Sequence, residues 1–472
     1  MIPTNNFFVG GGASETALTP VAAALLALAV LAMWLAPRRY ALVPLLLGAF
    51  LVPAGEVVVL AGAHLGPVRL LALFGCLRLA IMKPPPNESR LVGGWNNIDT
   101  AFLACGLARA AAVIIQFLSV AAVVNQAGIL LATFGIYFIL RQQIRDEKDI
   151  ATAIKAMIVV AFICAASMVI EQLLLRNLFG TLIGGVDIVP LIRNGKTRAQ
   201  GPFQHAILAG VFGATLLPLC LWLWTRGKSQ MFAVFGMLSA TAMTLMCASS
   251  TPVMAYGGVF VALCFWPIRR SMKAVRWTMV IVLVTLHLVM KAPVWFLIAR
   301  VDVIGGSASW DRANLIDTCI RHFWDWWLIG TSDIGNWGWS MWDLSNQFVA
   351  IAETGGLFSL ICFIAVISRS FGRLGTARRA VEGDRRAEWC MWLLCAAVYA
   401  HILAYFGVSY FDQTQVAWLV LLAIIAAATA TPLAKVHSTS TQDASLSSSV
   451  TEQDSFEPSV WDSTVHHLES RG

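Results

Sequence analysis

The chain has 472 residues, of which 58% are hydrophobic and only 12% are charged, and its net charge is +7. Soluble domains contain roughly 25% charged residues, so this composition excludes a single soluble domain and indicates a protein that crosses a membrane many times. The positive charge does not indicate nucleic-acid binding, because the basic residues fall in short connections between apolar runs, as the positive-inside bias predicts.

Apolar runs determine the predicted fold. About thirteen runs are long enough to span the roughly 30 Å hydrocarbon layer of a bilayer. They lie near residues 18–36, 41–62, 66–82, 100–124, 127–140, 152–175, 205–225, 231–249, 252–268, 277–299, 346–368, 389–406 and 413–432. We therefore predict an all-α fold, a polytopic transmembrane bundle of about 12–13 helices over residues 1–432, with one large, partly helical periplasmic loop.

The connections between the runs predict the orientation. Residues 369–388 are rich in arginine, which marks this connection as cytoplasmic, and every second connection before it is also basic. The two longest connections on the opposite face are then residues 176–204 and 300–345. Residues 433–472 are rich in serine and threonine and poor in apolar residues, so we expect a disordered cytoplasmic tail.

The connection 176–204 ends in a cluster of cations before a predicted helix. Arg193 and Arg198 precede the turn Gly201–Pro202, and His205 follows at the start of an apolar run. Cations beside a helix N-terminus form a plausible seat for an anion. The alternative is a basic patch beside the membrane that holds lipid head groups.

The connection 300–345 is a long hydrophilic stretch between apolar runs and is rich in tryptophan. Arg312 follows Trp310 at the start of an amphipathic stretch that reaches His322, and an arginine can present a bidentate fork to a phosphate. Trp339 lies in a glycine-containing segment, where an indole face can stack on a sugar ring. The alternative is an interfacial aromatic belt with lipid-anchoring arginines.

Among the ionisable residues inside apolar runs, Arg109, Glu171, His287 and Lys291 are the conspicuous ones. A charge inside the membrane is a functional hypothesis by default. Snorkelling to the interface explains Glu171 and is an option for Lys291, whereas Arg109 is harder to explain in that way. A transporter would make Arg109, His287 and Lys291 essential.

The sequence contains no nucleotide-binding loop and no metal-ligand spacing, and its cysteines show no paired spacing outside the apolar runs. We therefore expect no disulfide framework and no bound metal. If the protein is an enzyme, its donor substrate is expected to be linked to the membrane already.

Several of these segments resemble motifs of the O-antigen ligase/polymerase superfamily, GT-C-like membrane enzymes that ligate or polymerise bacterial surface polysaccharide. One likeness is the pattern Arg198-x-x-Gly201-x-Phe203-x-His205 at the start of the seventh apolar run. The others, in chain order, are Ser249–Ser250, Arg312, Trp327–Gly330, Asn346–Phe348 and Glu353–Leu357. The likeness therefore extends from about residue 198 to about residue 360.

The resemblance implies an inverting, metal-independent glycosyltransferase without a cofactor, in the bacterial cytoplasmic membrane, with its working loops on the periplasmic face. Its donor would be a glycan on undecaprenyl diphosphate and its acceptor another glycan or a lipid, with membrane lipids as neighbours. By the same resemblance, Arg198 and Arg312 would hold the diphosphate as negative charge builds on the leaving group. The remaining residues expected to bind substrate are Arg193, His205, Asn346, Trp310 and Trp339.

One position departs from the family pattern. The family ligases have His-Asn where this sequence has Ser345–Asn346, and their histidine helps to activate the acceptor hydroxyl. Serine cannot act as a general base near neutral pH, so the base is open among Asp343, His322 and Glu353. A polymerase and a ligase with another acceptor are equally open. A transporter or flippase of lipid-linked oligosaccharide and a non-catalytic assembly subunit are the alternatives.

Overall fold

The computed structural model describes residues 16–60, 63–82, 89–227, 229–300, 308–338, 341 and 344–453, and the side chains of the last helix only as far as Ala434. Along the chain the elements are α1 (Pro20–Leu35), α2 (Arg38–Leu51), β1 (Val58–Leu60), β2 (Ala63–Leu65), α3 (Pro67–Ile81), α4 (Asn97–Phe117), α5 (Val120–Gln143), α6 (Glu147–Leu174), α7 (Leu178–Leu182), β3 (Leu191–Arg193), β4 (Lys196–Arg198), α8 (Ala206–Arg226), α9 (Gln230–Met246), α10 (Ser250–Cys264), α11 (Met272–Val289), α12 (Ala308–Arg321), α13 (Phe323–Trp326), α14 (Gln347–Ala380), α15 (Arg385–Tyr405) and α16 (Asp412–Gln453). Short 3-10 helices cover Trp266–Ser271, Val294–Arg300 and Ile334–Trp337.

Each predicted apolar run contains a helix, and the all-α, multi-pass fold is confirmed. Within the described part of the chain, 8 helices are long and apolar enough to cross a membrane. These are α4, α5, α6, α8, the segment Trp266–Val289, α14, α15 and α16 up to Ala434. Helices α1, α9 and α10 are apolar but shorter. The larger predicted number of crossings stays a prediction beyond these 8 helices.

The predicted helix over residues 41–62 is wrong at its end. Helix α2 stops at Leu51, and the chain turns at Pro53, which has no amide to donate to a continuing helix. Strands β1 and β2 follow as a short antiparallel hairpin, with Val58 opposite Leu65. A second hairpin, formed by β3 and β4, precedes α8. Neither hairpin was predicted.

Two helices continue beyond their predicted ends. Helix α14 runs to Ala380, so most of the connection 369–388 is helical. Helix α16 continues through Pro432 to Gln453, and residues 433–453 are helical rather than disordered, because extending a formed helix needs no new nucleation. Residues 454–472 lie outside the described residues, and the cytoplasmic position of the tail stays a prediction.

The helices differ greatly in how far they are enclosed. Helix α8 is buried on nearly all sides and packs against α6, α9, α10 and α15. Helix α11 is the opposite case, because none of its residues is buried and its main contacts are with the 3-10 helices on either side of it. The bundle therefore has a central helix and one helix outside the packed core.

A buried ion pair joins α4 to α5. Arg141 donates to the Asp99 carboxylate through Nε and Nη2, each at 3.2 Å, and the Tyr137 hydroxyl donates to it at 2.5 Å. Arg141 also donates to the carbonyl oxygens of Val92 and Gly94. Both side chains of the pair are fully buried. The pair therefore holds the segment before α4 against α5.

We expect Asp99→Ala to destabilise the protein strongly, because it leaves the Arg141 guanidinium buried without a counterion. Removing one partner of a buried pair costs roughly 3–5 kcal/mol, which should lower the apparent melting temperature in detergent by several degrees. Glu382→Ala is the matched control, since Glu382 forms an exposed pair with Arg270 whose loss should change the melting temperature little. Equal shifts in the two variants would contradict the role of the buried pair.

Candidate functional site

The carboxylate of Glu171, near the end of α6, holds the segment 198–205. It is buried and accepts hydrogen bonds from the amides of Gln200, at 3.2 Å, and Gly201, at 3.0 Å. The side chain of Asn177 donates to it as well, at 3.1 Å. The explanation of Glu171 by snorkelling is therefore wrong, because amide donors inside the protein satisfy its charge.

Arg198 ends β4 and is half-buried, whereas Arg193 is exposed on β3. Burial, together with the positive charge of Arg193, lowers the pKa of Arg198 below the usual arginine value. The Nε atom of Arg198 is buried and has no hydrogen-bond partner among the described residues. A partly desolvated guanidinium beside a second cation is suited to bind an anion. His205 is exposed directly before α8, and its ring lies 5.7 Å from that of Phe411.

Helix α14 is interrupted at Gly356, where φ is 72° and ψ is −177°, a backbone conformation essentially limited to glycine. The amide of Leu357, directly after the interruption, donates to the carbonyl oxygen of Trp327 at 2.8 Å. Two of the motifs behind the family resemblance, Trp327–Gly330 and Glu353–Leu357, are therefore hydrogen-bonded to each other.

Two further contacts fix this junction. The Thr331 amide donates to the Glu353 carbonyl at 2.8 Å, and the side chain of Gln116, at the end of α4, donates to the Ile329 carbonyl. Gly330 has φ of 79°, and a Cβ there would lie 1.9 Å from the Glu353 carbonyl oxygen. The close approach of the two backbones therefore requires glycine at this position.

Helix α12, which bears Arg312, packs against the first half of α14. Leu315 and Cys319 on α12 meet Val349 on α14, and Arg312 is buried, with 5% exposure. Burial, and then the nearby charge of Glu353, raises the pKa of Cys319 to about 12. Cys319 is therefore an uncharged packing residue in an apolar junction.

Two polar side chains at this junction, Asn346 and Glu353, each have a buried polar atom without a hydrogen-bond partner among the described residues. The Oδ1 atom of Asn346 accepts from the amides of Phe348, at 2.9 Å, and Val349, at 3.2 Å, and so caps α14. The Nδ2 atom of Asn346 and the Oε2 atom of Glu353 are buried without a hydrogen-bond partner among the described residues. Asn346 therefore has a structural role through its oxygen, and only its nitrogen is available to a substrate.

His322 is oriented by two neighbours. Its Nδ1 atom hydrogen-bonds to Asp325 Oδ2 at 2.8 Å, and its ring stacks on Trp337, with ring centres 5.1 Å apart and an interplanar angle of 15°. A histidine held by a carboxylate at Nδ1 presents Nε2 as an acceptor. This is the arrangement of a general base. Asp325 was missed by the sequence analysis, although its spacing from His322, one helical turn, indicates the contact.

The structure describes only some of the remaining predicted site residues. Trp310 is 56% exposed on α12. Trp339 and Asp343 lie outside the described residues, and their roles stay predictions. Among the described residues, no three histidine, cysteine, aspartate or glutamate side chains lie together as a metal site requires.

A cavity of about 490 Å³ lies between α3, α4, α5, α14 and α16. Its polar lining includes Arg69, Arg109, Gln347 and Asp412. None of the described residues predicted for the site is part of this lining. The sequence analysis singled out Arg109 as a charge inside the membrane but missed Arg69, because helices far apart in the chain bring the two together.

The turn between α15 and α16 connects these parts of the site. The Tyr410 amide donates to Gln347 Oε1, and Gln413 Nε2 donates to the Pro202 carbonyl at 3.0 Å. The segment 198–205, the start of α14 and the cavity therefore lie at the same end of the bundle.

No family model matches the sequence, and no curated protein matches it. The likeness to the O-antigen ligase/polymerase superfamily therefore rests on the motifs alone.

We expect Gly356→Ala to disturb the junction of α14 with residues 327–331. The added Cβ would meet the Leu328 carbonyl oxygen at 2.5 Å, and the backbone conformation alone costs a non-glycine residue roughly 1–3 kcal/mol. Hydrogen exchange at the Leu357 amide should become faster, as measured by mass spectrometry. Gly372→Ala on the same helix is the control, because its Cβ would meet nothing within 4 Å. Unchanged protection of Leu357 in Gly356→Ala would rule out the described junction.

Proposed function

We propose that this chain is a membrane glycosyltransferase that polymerises or ligates glycan carried on undecaprenyl diphosphate, in the biosynthesis of bacterial surface polysaccharide. The main support is that the segment with Arg198 and the α12–α14 junction with Arg312 are both tied to one end of the bundle, through Gln413 and Tyr410. Guanidinium groups at one end of a bundle suit a diphosphate leaving group. From the distribution of basic connections, we assign this end to the periplasmic face of the cytoplasmic membrane.

The proposed transfer forms one bond and breaks one. The oxygen of an acceptor hydroxyl attacks the anomeric carbon of the donor sugar from the side opposite the diphosphate, which inverts that carbon. The bond from the anomeric carbon to the diphosphate oxygen breaks, and its electron pair leaves with undecaprenyl diphosphate. Arg198 and Arg312 offset the negative charge on this leaving group. The hydroxyl proton passes to a general base.

We favour His322 as that base. Its Nε2 atom is free to accept a proton, while Asp325 holds Nδ1 and stabilises the imidazolium that forms. Glu353 is less suited, because its carboxylate is buried in the junction between α12 and α14. Asp343 stays a candidate in the segment outside the described residues.

A transporter or flippase of lipid-linked oligosaccharide is the second candidate, and a non-catalytic assembly subunit is the third. A transporter would use Arg109, His287 and Lys291 along one polar path. Arg109 lines the cavity, but His287 lies on the exposed helix α11, where its ring lies 5.4 Å from that of Trp295, and Lys291 is exposed just beyond that helix. This arrangement favours the transferase over the transporter.

We expect Arg198→Ala and Arg312→Ala each to lower glycan transfer about 100-fold or more, the loss typical of a removed transition-state donor. The readout is the glycan profile of strains in which each variant replaces the wild-type protein. Arg321→Ala is the control, since Arg321 is exposed and paired with Asp317. Intact polysaccharide in Arg312→Ala, at a normal protein level in the membrane, would exclude the transferase.

The same glycan profile distinguishes polymerisation from ligation when the lipid-linked and surface fractions are analysed separately. Loss of long chains with single repeats left on the carrier identifies a polymerase. Long chains that accumulate on the carrier identify a ligase.

We expect His322→Gln to lower the rate of transfer by roughly 10²–10⁴-fold, the range for a lost general base, while KM for the donor changes little. Asp325→Asn should lower the rate less, because the imidazole remains in place. Asp333→Asn is the control in the same connection, where Asp333 contacts only Asn336 through its side chain among the described residues. Full activity of His322→Gln would mean that Asp343 or Glu353 is the general base. If neither the wild type nor any variant catalysed glycan transfer, the protein would be an assembly subunit.

A further inference from the structure

The cavity between α3, α4, α5, α14 and α16 is lined by both charged and apolar side chains. Its charged side chains include Arg69 and Asp412, and Asp412 directly precedes Gln413, which donates to the segment 198–205. Its apolar lining includes aromatic and aliphatic side chains, namely Phe102, Ile129, Phe363, Val366, Trp418 and Leu419. This combination matches a ligand that has a charged head and a hydrocarbon part.

Two guanidinium groups supply positive charge to this cavity. Arg69 donates to the His64 carbonyl, and Arg109 donates through Nε to Thr354 Oγ1 at 3.2 Å. Neither arginine forms an ion pair with a carboxylate of the described residues, although Asp412 and Glu353 are near enough to attract them. Both guanidinium groups therefore have N–H donors that form no ion pair with a carboxylate of the described residues.

Arg109 lies deep in the bundle, where a charge without a bound anion is unfavourable. It lies eight residues before Phe117, the end of α4, which places it roughly 12 Å along the helix from that end. Charged residues this far inside a spanning helix face cavities and bind ions or substrates. An anion in the cavity would compensate the charge of Arg109 where water is scarce.

We propose that this cavity binds the phosphate head of a membrane lipid between Arg69 and Arg109, with the first part of its chain against the apolar side chains of the lining. Guanidinium groups bind phosphate oxygens through paired charge-assisted hydrogen bonds. The volume of about 490 Å³ suits a head group and a short length of chain, since ligand pockets are roughly 300–1,000 Å³. The rest of the chain lies outside the cavity, between helices or in the bilayer.

This site is separate from the one that holds Arg312. The first half of α14 presents Gln347 and Ile351 to the cavity and Val349 to α12, so it stands between the two. As a second phosphate site at the same end of the bundle, the cavity would hold the lipid that carries the acceptor glycan. That role rests on the proposed function, whereas lipid binding does not.

The test is lipid binding by the purified full-length protein, measured by native mass spectrometry with added undecaprenyl phosphate, phosphatidylglycerol or phosphatidylcholine. We expect undecaprenyl phosphate to bind, and Arg69→Ala and Arg109→Ala each to weaken the binding of one lipid per protein about tenfold or more, as the loss of hydrogen bonds to a charged group predicts. Ala132→Phe, which adds bulk to the cavity lining and keeps both charges, should also weaken it. Arg321→Ala should leave binding unchanged.

Each outcome bears on the proposal. Unchanged affinity in Arg69→Ala, Arg109→Ala and Ala132→Phe overturns it, as does equal binding of phosphatidylcholine. If an alanine variant fails to fold, Arg69→Lys or Arg109→Lys takes its place, with an intermediate affinity expected. Equal affinity for phosphatidylglycerol and undecaprenyl phosphate supports the phosphate site but overturns the acceptor role. Arg198→Ala separates the two proposals, because this variant should bind lipid in the cavity as the wild type does but should lose glycan transfer. If Arg198→Ala kept glycan transfer, the proposed function would be contradicted and the lipid site would not.

Discussion

Hydrocarbon offers no hydrogen-bond partners, so every backbone amide and carbonyl inside a membrane must find its partner in the protein. An unbroken helix meets this requirement by itself, but α14 does not, because Gly356 interrupts it. Residues 327–331 supply partners on both sides of the interruption, at Leu357 and at Glu353. A polar connection is thereby fixed against the bundle, and α12 with Arg312 is fixed with it.

The same requirement orders the other half of the candidate site. A turn before a helix leaves amides unpaired, and the carboxylate of Glu171 accepts those of Gln200 and Gly201. The backbone that carries Arg198 is therefore held by the bundle rather than left to solvent. Electrostatic stabilisation is largest when charged groups are oriented in advance, and this is what the two fixed segments provide.

The sequence predicted what depends on local composition and missed what depends on tertiary contact. The helices followed from apolar runs, because a spanning segment must be continuous and hydrophobic. The interruption of α14 could not be predicted, since a glycine can equally belong to an unbroken stretch of helix, as Gly372 does. Glu171 was misread because its partners depend on tertiary contact. Arg69 joins Arg109 only when five helices assemble. His322 could be proposed as a base from the sequence, because its residue type alone indicates proton transfer.

Helix α11 has no buried residue and few protein neighbours, so in a bilayer it would face lipid more than protein. A helix with few protein neighbours adjusts its tilt to the hydrophobic thickness around it. Beyond α11, the 3-10 helix at Val294–Arg300 packs on α12, and Trp295 donates to Asp317 at 3.1 Å. A change in the tilt of α11 would thus reach the helix that bears Arg312 through these contacts. The composition of the surrounding membrane would then adjust the site without any ligand binding to it.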